Sequence, residues 1–380
     1  NIPIMYATNV LGGLLFFLPV LALYFEKELF TATNVAIIFA VEAFAGVIFE
    51  IPTGAIADLF GRRKTIIMAQ VLALCALIFL YIGGSMEMFV LYAILNSFAR
   101  SLMSGTNNAI IYDSLQEEGN ELYYKKIIGV YEALWPLGAS IGSIVGGYLA
   151  KSSLQLTVTA TFIPITIALF LAFFLKEPSY KKEGHRNVLR HMINSSKVII
   201  HNKQLLVIAF VFCVMMSFGE FPHFLSPLLL EFKEISIEYF GWITALTFGF
   251  SSLGFYFSHD ISEKIGNKNT LILAAALSPI FVLVATLLSG IQFVFFWTSA
   301  SIYFGIKNPI ISHLINLEVN SSKRATVISI NNFIGQLGVS ATMPFLGYFA
   351  ELYTIQTAVQ LSAAILLVVP FILLFLEDKK

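Results

Sequence analysis

Two cations stand where an apolar chain tolerates them least. Arg100 lies mid-way along the apolar stretch 88–112, and Lys307 near the middle of 291–316. At the centre of a bilayer each would cost at least roughly 2.5–3.5 kcal/mol, so a charge there marks a functional position. Arg100 has polar company at helical spacing. Asn96, Arg100 and Ser104 recur at i, i+4 and i+8, and Asn107 and Asn108 extend the stripe. A second stripe, Ser329, Asn332, Gln336 and Ser340, recurs at i, i+3, i+7 and i+11. A helix wholly bathed in lipid would not carry such faces. Cations set among amides and hydroxyls suit a carboxylate or a phosphate. Asn96, Arg100, Ser104, Lys307, Asn332 and Gln336 are therefore the candidate contacts for a small-molecule substrate.

Acids inside apolar stretches supply the opposite charge. Glu42 and Glu50 fall in 34–57, Glu132 in 127–150 and Glu220 in 204–230, with His223 close by. A buried carboxyl with raised proton affinity can take up and release a proton. Glu220 also precedes Pro222, where a helix bends and frees backbone carbonyls. Glu42, Glu132 and Glu220 are the candidate proton carriers, and any one of them could instead be a structural partner of Arg100. The chain has no phosphate loop of the form G-x-x-x-x-G-K-[ST], no G-x-S-x-G nucleophile turn and no His/Cys spacing for a metal. The expectation is a protein that is not an enzyme, with no cofactor and no metal.

The elements that must position these residues follow from composition. Of the 380 residues 57% are hydrophobic and 12% charged, with a mean hydropathy of +0.81. A soluble chain carries about 25% charged residues, so this is read as an all-α membrane protein with many crossings. The net charge of zero gives no overall field for nucleic acid. Cys75 and Cys213 sit inside apolar segments and read as small core residues. The first apolar run has neither a charged leader nor a small-residue cleavage site, and is not read as a signal peptide.

Taking about 20 apolar residues per crossing, spans fall near 4–26, 34–57, 65–84, 88–112, 127–150, 154–175, 204–230, 238–258, 270–289, 291–316, 325–350 and 356–376. With the N-terminus cytoplasmic, inner loops and tail hold eighteen Lys and Arg and outer loops three, namely Lys27, Lys151 and Lys233. The bias places both termini in the cytoplasm. A polar break at 176–203 separates a bundle of residues 1–175 from one of 204–380. It reads either as a cytoplasmic linker or as a helix lying on the inner leaflet. The halves echo each other about 205 residues apart: "FEKE" at 25–28 and "LEFKE" at 230–234, then Asp58-x-x-Gly61-Arg62-Arg63 and Glu263-x-x-Gly266-Asn267-Lys268. Such internal repeats occur in transporters.

Twelve spans, a six-plus-six split and the stretch "GAIADLFGRRK" at 54–64 together resemble the major facilitator superfamily of secondary transporters. The stretch is similar to that superfamily's loop between spans 2 and 3, matching at Gly54, Asp58, Gly61, Arg62 and Arg63. The resemblance implies two six-helix pseudo-repeats around a central cavity, alternating access by rocking of the halves, and a gating role for these five residues. The physical reading agrees: Gly61 permits a sharp reversal, and Asp58 can pair with the arginines or sit at a helix N-terminus. "GASIGSIVGG" puts Gly138, Gly142 and Gly146 on one helix face. It resembles the glycine-rich signature of the superfamily's exporter branch, with Ser143 where that branch has proline. Close helix packing explains the same glycines.

Two functional expectations stay open. One is proton-coupled efflux, by antiport, of small amphipathic molecules or drugs. The other is a carrier, for uptake or export, of a specific anionic or zwitterionic metabolite bound by Arg100 and Lys307. In either case a proton or sodium is the coupling ion. The chain is expected to work as a monomer in a bacterial plasma membrane, without nucleic acid.

Overall fold

The computed structural model describes residues 1–179, 199–319 and 321–376, with the side chains of 51, 52, 54, 55, 58 and 321–326 outside the description. The described residues are helical and contain no strand. A helix satisfies its own backbone polar groups, which lipid cannot do. The chain divides into two compact units, one of Asn1–Phe30, Val41–Arg186 and Ser236–Ala245, the other of Thr31–Ala40, Asn187–Ile235 and Leu246–Lys380.

The first unit is built from α1 (Ile2–Gly13), α2 (Leu21–Leu29), most of α3 (Ala32–Phe60), α4 (Arg62–Ile82), α5 (Met86–Glu117), α6 (Tyr124–Ser152) and α7 (Leu154–Ala172). Helix α4 packs along α5 and α7, while α1 lies against α6 and α7. The span expected near 4–26 falls within Ile2–Leu29, a stretch long and apolar enough to cross a membrane whose helix is interrupted. Helix α1 stops at Gly13, and a 3-10 turn at Leu18–Val20 precedes α2. Gly12 and Gly13 are weak helix formers, and Pro19 brings no amide to the ladder.

Freed backbone groups at the break find partners. Leu14 N donates to Val10 O at 3.2 Å, and Phe16 N donates to Thr161 Oγ1 of α7 at 3.1 Å. Helix α6 holds the break through its glycine stripe. A Cβ on Gly138 would overlap the Val10 carbonyl oxygen, one on Gly146 the Phe16 carbonyl oxygen, and one on Gly142 would sit 3.0 Å from Leu14 Cα. The two backbones touch because no side chain stands between them.

The second unit contains α8 (Lys203–Phe224), α9 (Ser226–Phe232), most of α10 (Glu238–Ile265), α11 (Asn267–Leu287), α12 (Gly290–Glu318), α13 (Ser321–Leu352), α14 (Ile355–Leu366) and α15 (Val369–Leu373). Helix α8 runs along α13, and α11 packs on α12 and α14. Ile208, Val211, Met215, Ile311, Leu314 and Val327 are part of one apolar core. Helices α10 and α12 cross with Gly254 against the backbone of Ile302 and Gly305.

Among the described residues, eight helical stretches are long and apolar enough to cross a membrane. Four more helices, α5, α10, α12 and α13, have the length, at 32, 28, 29 and 32 residues. They are more polar, and α5, α12 and α13 carry Arg100, Lys307 and the Asn332–Gln336 stripe.

A single added methyl tests the glycine contact. Gly138→Ala should lower stability by about 1–3 kcal/mol through overpacking. Gly105→Ala, where nothing lies within 4 Å of the added carbon, should leave stability unchanged or slightly raised. Thermal unfolding of the two variants in detergent reads the contrast.

Candidate functional site

In the first unit α3 and α5 bring an acid and a base together. Ser97 Oγ donates to the Glu42 carbonyl oxygen at 2.9 Å, fixing the height of one helix against the other. Phe49 and Phe98 stack with ring centroids 4.5 Å apart, further along the same contact. Asn96 and Arg100 are one turn apart on α5, so their side chains converge. Asn96 Nδ2 donates to Glu42 Oε1 at 2.9 Å, and Arg100 Nη1 donates to the same oxygen at 3.0 Å. The Glu42 side chain is 13% exposed and the Arg100 side chain 71%. The carboxylate is thus held within the helix pair while much of the guanidinium stays open. Tyr92, one turn before Asn96, is buried and interacts electrostatically with both charges.

Other polar residues of α5 are placed differently. Ser104 is exposed, and Asn107 interacts with Tyr131 on α6. Glu132 is exposed on α6, and its charge acts on Tyr124 and Tyr131. Neither Ser104 nor Glu132 is brought to the Glu42–Arg100 pair.

The second unit holds its own cation. Lys307 on α12 is buried, with Nζ 4.5 Å from the centroid of the Phe304 ring one turn earlier. An aromatic face stabilises a desolvated ammonium. The Glu220 charge on α8 acts on it as well. On α13, Gln336 is half-buried and Asn332 exposed, whereas the adjacent Asn331 is buried at 3% exposure with no hydrogen-bond partner for its Oδ1. Spacing alone pointed to Asn332; packing buries its neighbour. A cavity of about 760 Å³ in this unit, bordered by His259, Glu263, Asn267 and His313, has neither Lys307 nor Glu220 in its wall.

The charged turn after α3 forms a third cluster. Gly61 has φ +91° and begins α4. The Glu177 carboxylate, just past α7, accepts from Arg62 N at 2.6 Å and Arg63 N at 2.8 Å. A carboxylate at this place satisfies amides that have no intrahelical partner and complements the helix dipole. A Cβ on Gly61 would lie 2.7 Å from Glu177 Oε1, so the glycine also makes room for the acid. Arg63 Nη2 donates to Phe173 O at 2.8 Å, and Arg62 Nε lies 3.5 Å from Asp113 Oδ2 of α5. Sequence reasoning missed Glu177 and Asp113, which lie far along the chain from the turn. The expectations for the side chains of Gly54 and Asp58 lie outside the described residues.

A family model described as Major Facilitator Superfamily matches residues 4–233 and 212–380. An uncharacterized MFS-type transporter, YxaM, of Bacillus subtilis (strain 168) is 23% identical over 398 residues, covering 99% of this chain and 96% of that protein. The crystal structure of the nucleoside transporter NupG superposes with TM-score 0.80 at 16% identity, covering 100% of this chain and 98% of that one. The inward-open xylose transporter XylE from E. coli gives TM-score 0.75 at 14% identity, covering 100% and 97%. At these identities the two structures show a shared fold.

The turn makes a prediction of its own. Glu177→Ala removes both acceptors from the start of α4 and should cost about 1 kcal/mol, the usual scale for a lost helix cap. Thermal unfolding should show the loss, and Glu177→Gln, which keeps one acceptor oxygen, should recover part of it.

Proposed function

The chain belongs to the Major Facilitator Superfamily and is a multi-pass membrane transporter; we propose that it is a proton-coupled carrier of a small anionic or zwitterionic metabolite. The observation that carries this reading is Glu42 Oε1, shared by Asn96 and Arg100 at 2.9 and 3.0 Å. Arg100 is already matched by an acid, so an acidic solute group competes with Glu42 for the guanidinium. Protonation of Glu42 removes its charge and weakens its hold on Arg100. Proton and acidic solute then bind together and travel in one direction.

Lys307 with Glu220 would act as the corresponding charge pair of the second unit. Alternating access would rock residues 1–175 against 204–380 through twelve spans, with both termini cytoplasmic, a bacterial plasma membrane as the site and a monomer as the working unit. Efflux of amphipathic compounds gains little from the α6 glycines, whose close packing against α1 accounts for their presence.

Proteoliposomes loaded with a pH-sensitive dye test the proposal. Acidic and zwitterionic solutes should drive proton movement in the wild type. Arg100→Ala should cut transport at least about tenfold, the scale of one lost charge-assisted hydrogen bond. Glu42→Gln should retain solute exchange while losing proton movement. Wild-type transport rates in Arg100→Ala would overturn the reading.

A further inference from the structure

Helices α10 and α12 of the second unit meet backbone to backbone at a pair of glycines. A Cβ on Gly254 would overlap the Ile302 carbonyl oxygen, and one on Gly305 the Ser251 carbonyl oxygen. Beyond this crossing the helices part. One turn on, Ser258 and Pro309 border a cavity of about 760 Å³, and a further turn on Ser262 and His313 border it too. The two helices thus advance in step and enclose a wedge. Pro309 brings no amide to the Gly305 carbonyl, and a proline inside a helix bends it. The volume falls within the roughly 300–1,000 Å³ of small-molecule sites.

The polar groups of this wedge are unevenly matched. Ser258 Oγ donates to Phe255 O and Ser262 Oγ to His259 O, each at 2.9 Å, so both hydroxyl protons are committed to their own helix. Glu263 is the acid in the wall, and its Oε1 lies 3.6 Å from His259 Nε2 one turn earlier. Three donors are left over. The side chains of Lys264 on α10, Asn267 on α11 and His313 on α12 border the same space. None of the three has a hydrogen bond or ion pair to another described side chain.

Donors without a protein acceptor around one cavity call for an acidic ligand. These three stand on three helices and approach the space from different sides. A phosphate monoester offers three terminal oxygens in a tetrahedral array, whereas a carboxylate offers two in a single plane. Ile265, Pro309 and Ile310 supply an apolar part of the wall, which suits an organic group on the fourth oxygen.

We propose that the wedge between α10 and α12 binds a phosphomonoester, with Lys264, Asn267 and His313 on the phosphate and the apolar wall against its organic part. The site belongs to the second unit, whereas Glu42 and Arg100 belong to the first, and it does not rest on the reading of that pair. Lys307 stands on α12 two residues before Pro309, so an occupant bears on the helix that carries the second unit's buried base. The phosphate can arrive on a soluble metabolite or on a lipid headgroup, and both present the same three oxygens.

Calorimetric titration of the full chain in detergent with phenyl phosphate tests the proposal. Phenyl phosphate should bind the wild type and Arg100→Ala alike. Benzoate, with the same ring and a planar anion, should bind Arg100→Ala at least about tenfold more weakly. His313→Ala and Lys264→Ala should each weaken phenyl phosphate binding by about tenfold, the scale of one lost charge-assisted hydrogen bond. Lys264→Arg should keep it. Both side chains are exposed, so thermal unfolding should be unchanged and a loss of binding is not a loss of fold. Displacement of bound phenyl phosphate by phosphatidic acid in mixed micelles supports a lipid source, and no displacement supports a soluble one. Absence of binding to the wild type, undiminished binding to both His313→Ala and Lys264→Ala, or tighter binding of benzoate to Arg100→Ala overturns the proposal. Binding lost in Arg100→Ala puts the anion in the first unit and overturns it too, while leaving the carrier reading intact.

Discussion

A guanidinium half-way along an apolar helix persists only while an acid stays within its reach. The contact between Arg100 and Glu42 meets that constraint, and much of the first unit serves to keep it in register. Ser97 pins the backbone of α3 to α5, and the Phe49–Phe98 stack aligns the same two helices further along. Asn96 adds a neutral donor to the oxygen that Arg100 already holds. In the proposed cycle, protonating this one carboxylate would weaken its hold on both donors. A membrane interior magnifies that difference, since a charge left alone there is far more costly than in water.

Packing elsewhere follows from the absence of a hydrophobic driving force between helices in lipid. Close backbone contact replaces it. Helix α6 gives up side chains at Gly138, Gly142 and Gly146 to lie on α1, and Gly254 and Gly305 do the same where α10 crosses α12. The break in α1 is tolerable because a threonine from α7 takes the amide that the helix no longer satisfies. Ends of helices are treated as strictly. Glu177 closes α4, and Lys233 Nζ donates to Thr286 O and Leu288 O at 2.6 and 3.1 Å where α11 ends.

Long apolar runs made the all-α membrane fold readable, because they rest on bulk transfer energies. The repeat was readable as well: Gly61 and Gly266 share an offset and, in the structure, a backbone conformation. What could not be read was pairing. Glu42, Asn96 and Arg100 each stood out as a polar residue in an apolar run, yet nothing in their spacing says that 42 meets 96 and 100. Glu177 lay in a stretch that read as linker, and only the fold brings it to an amide pair 115 residues away. Helical spacing chose Asn332, but a one-residue difference in facing is 100° of rotation, and packing buries Asn331. The interruption at 14–20 was masked because its residues remain apolar even where they are not helical.

In the proposed cycle Arg100 takes the acidic group of the solute as Glu42 takes one proton. Counting protons on solute binding tests it most directly. Purified protein in weakly buffered detergent, mixed with an acidic or zwitterionic solute that drives proton movement in liposomes, should take up about one proton per solute bound. The Glu42→Gln variant should bind the solute and take up none. Binding with no proton uptake by the wild type, or with the same uptake by Glu42→Gln, would contradict the account.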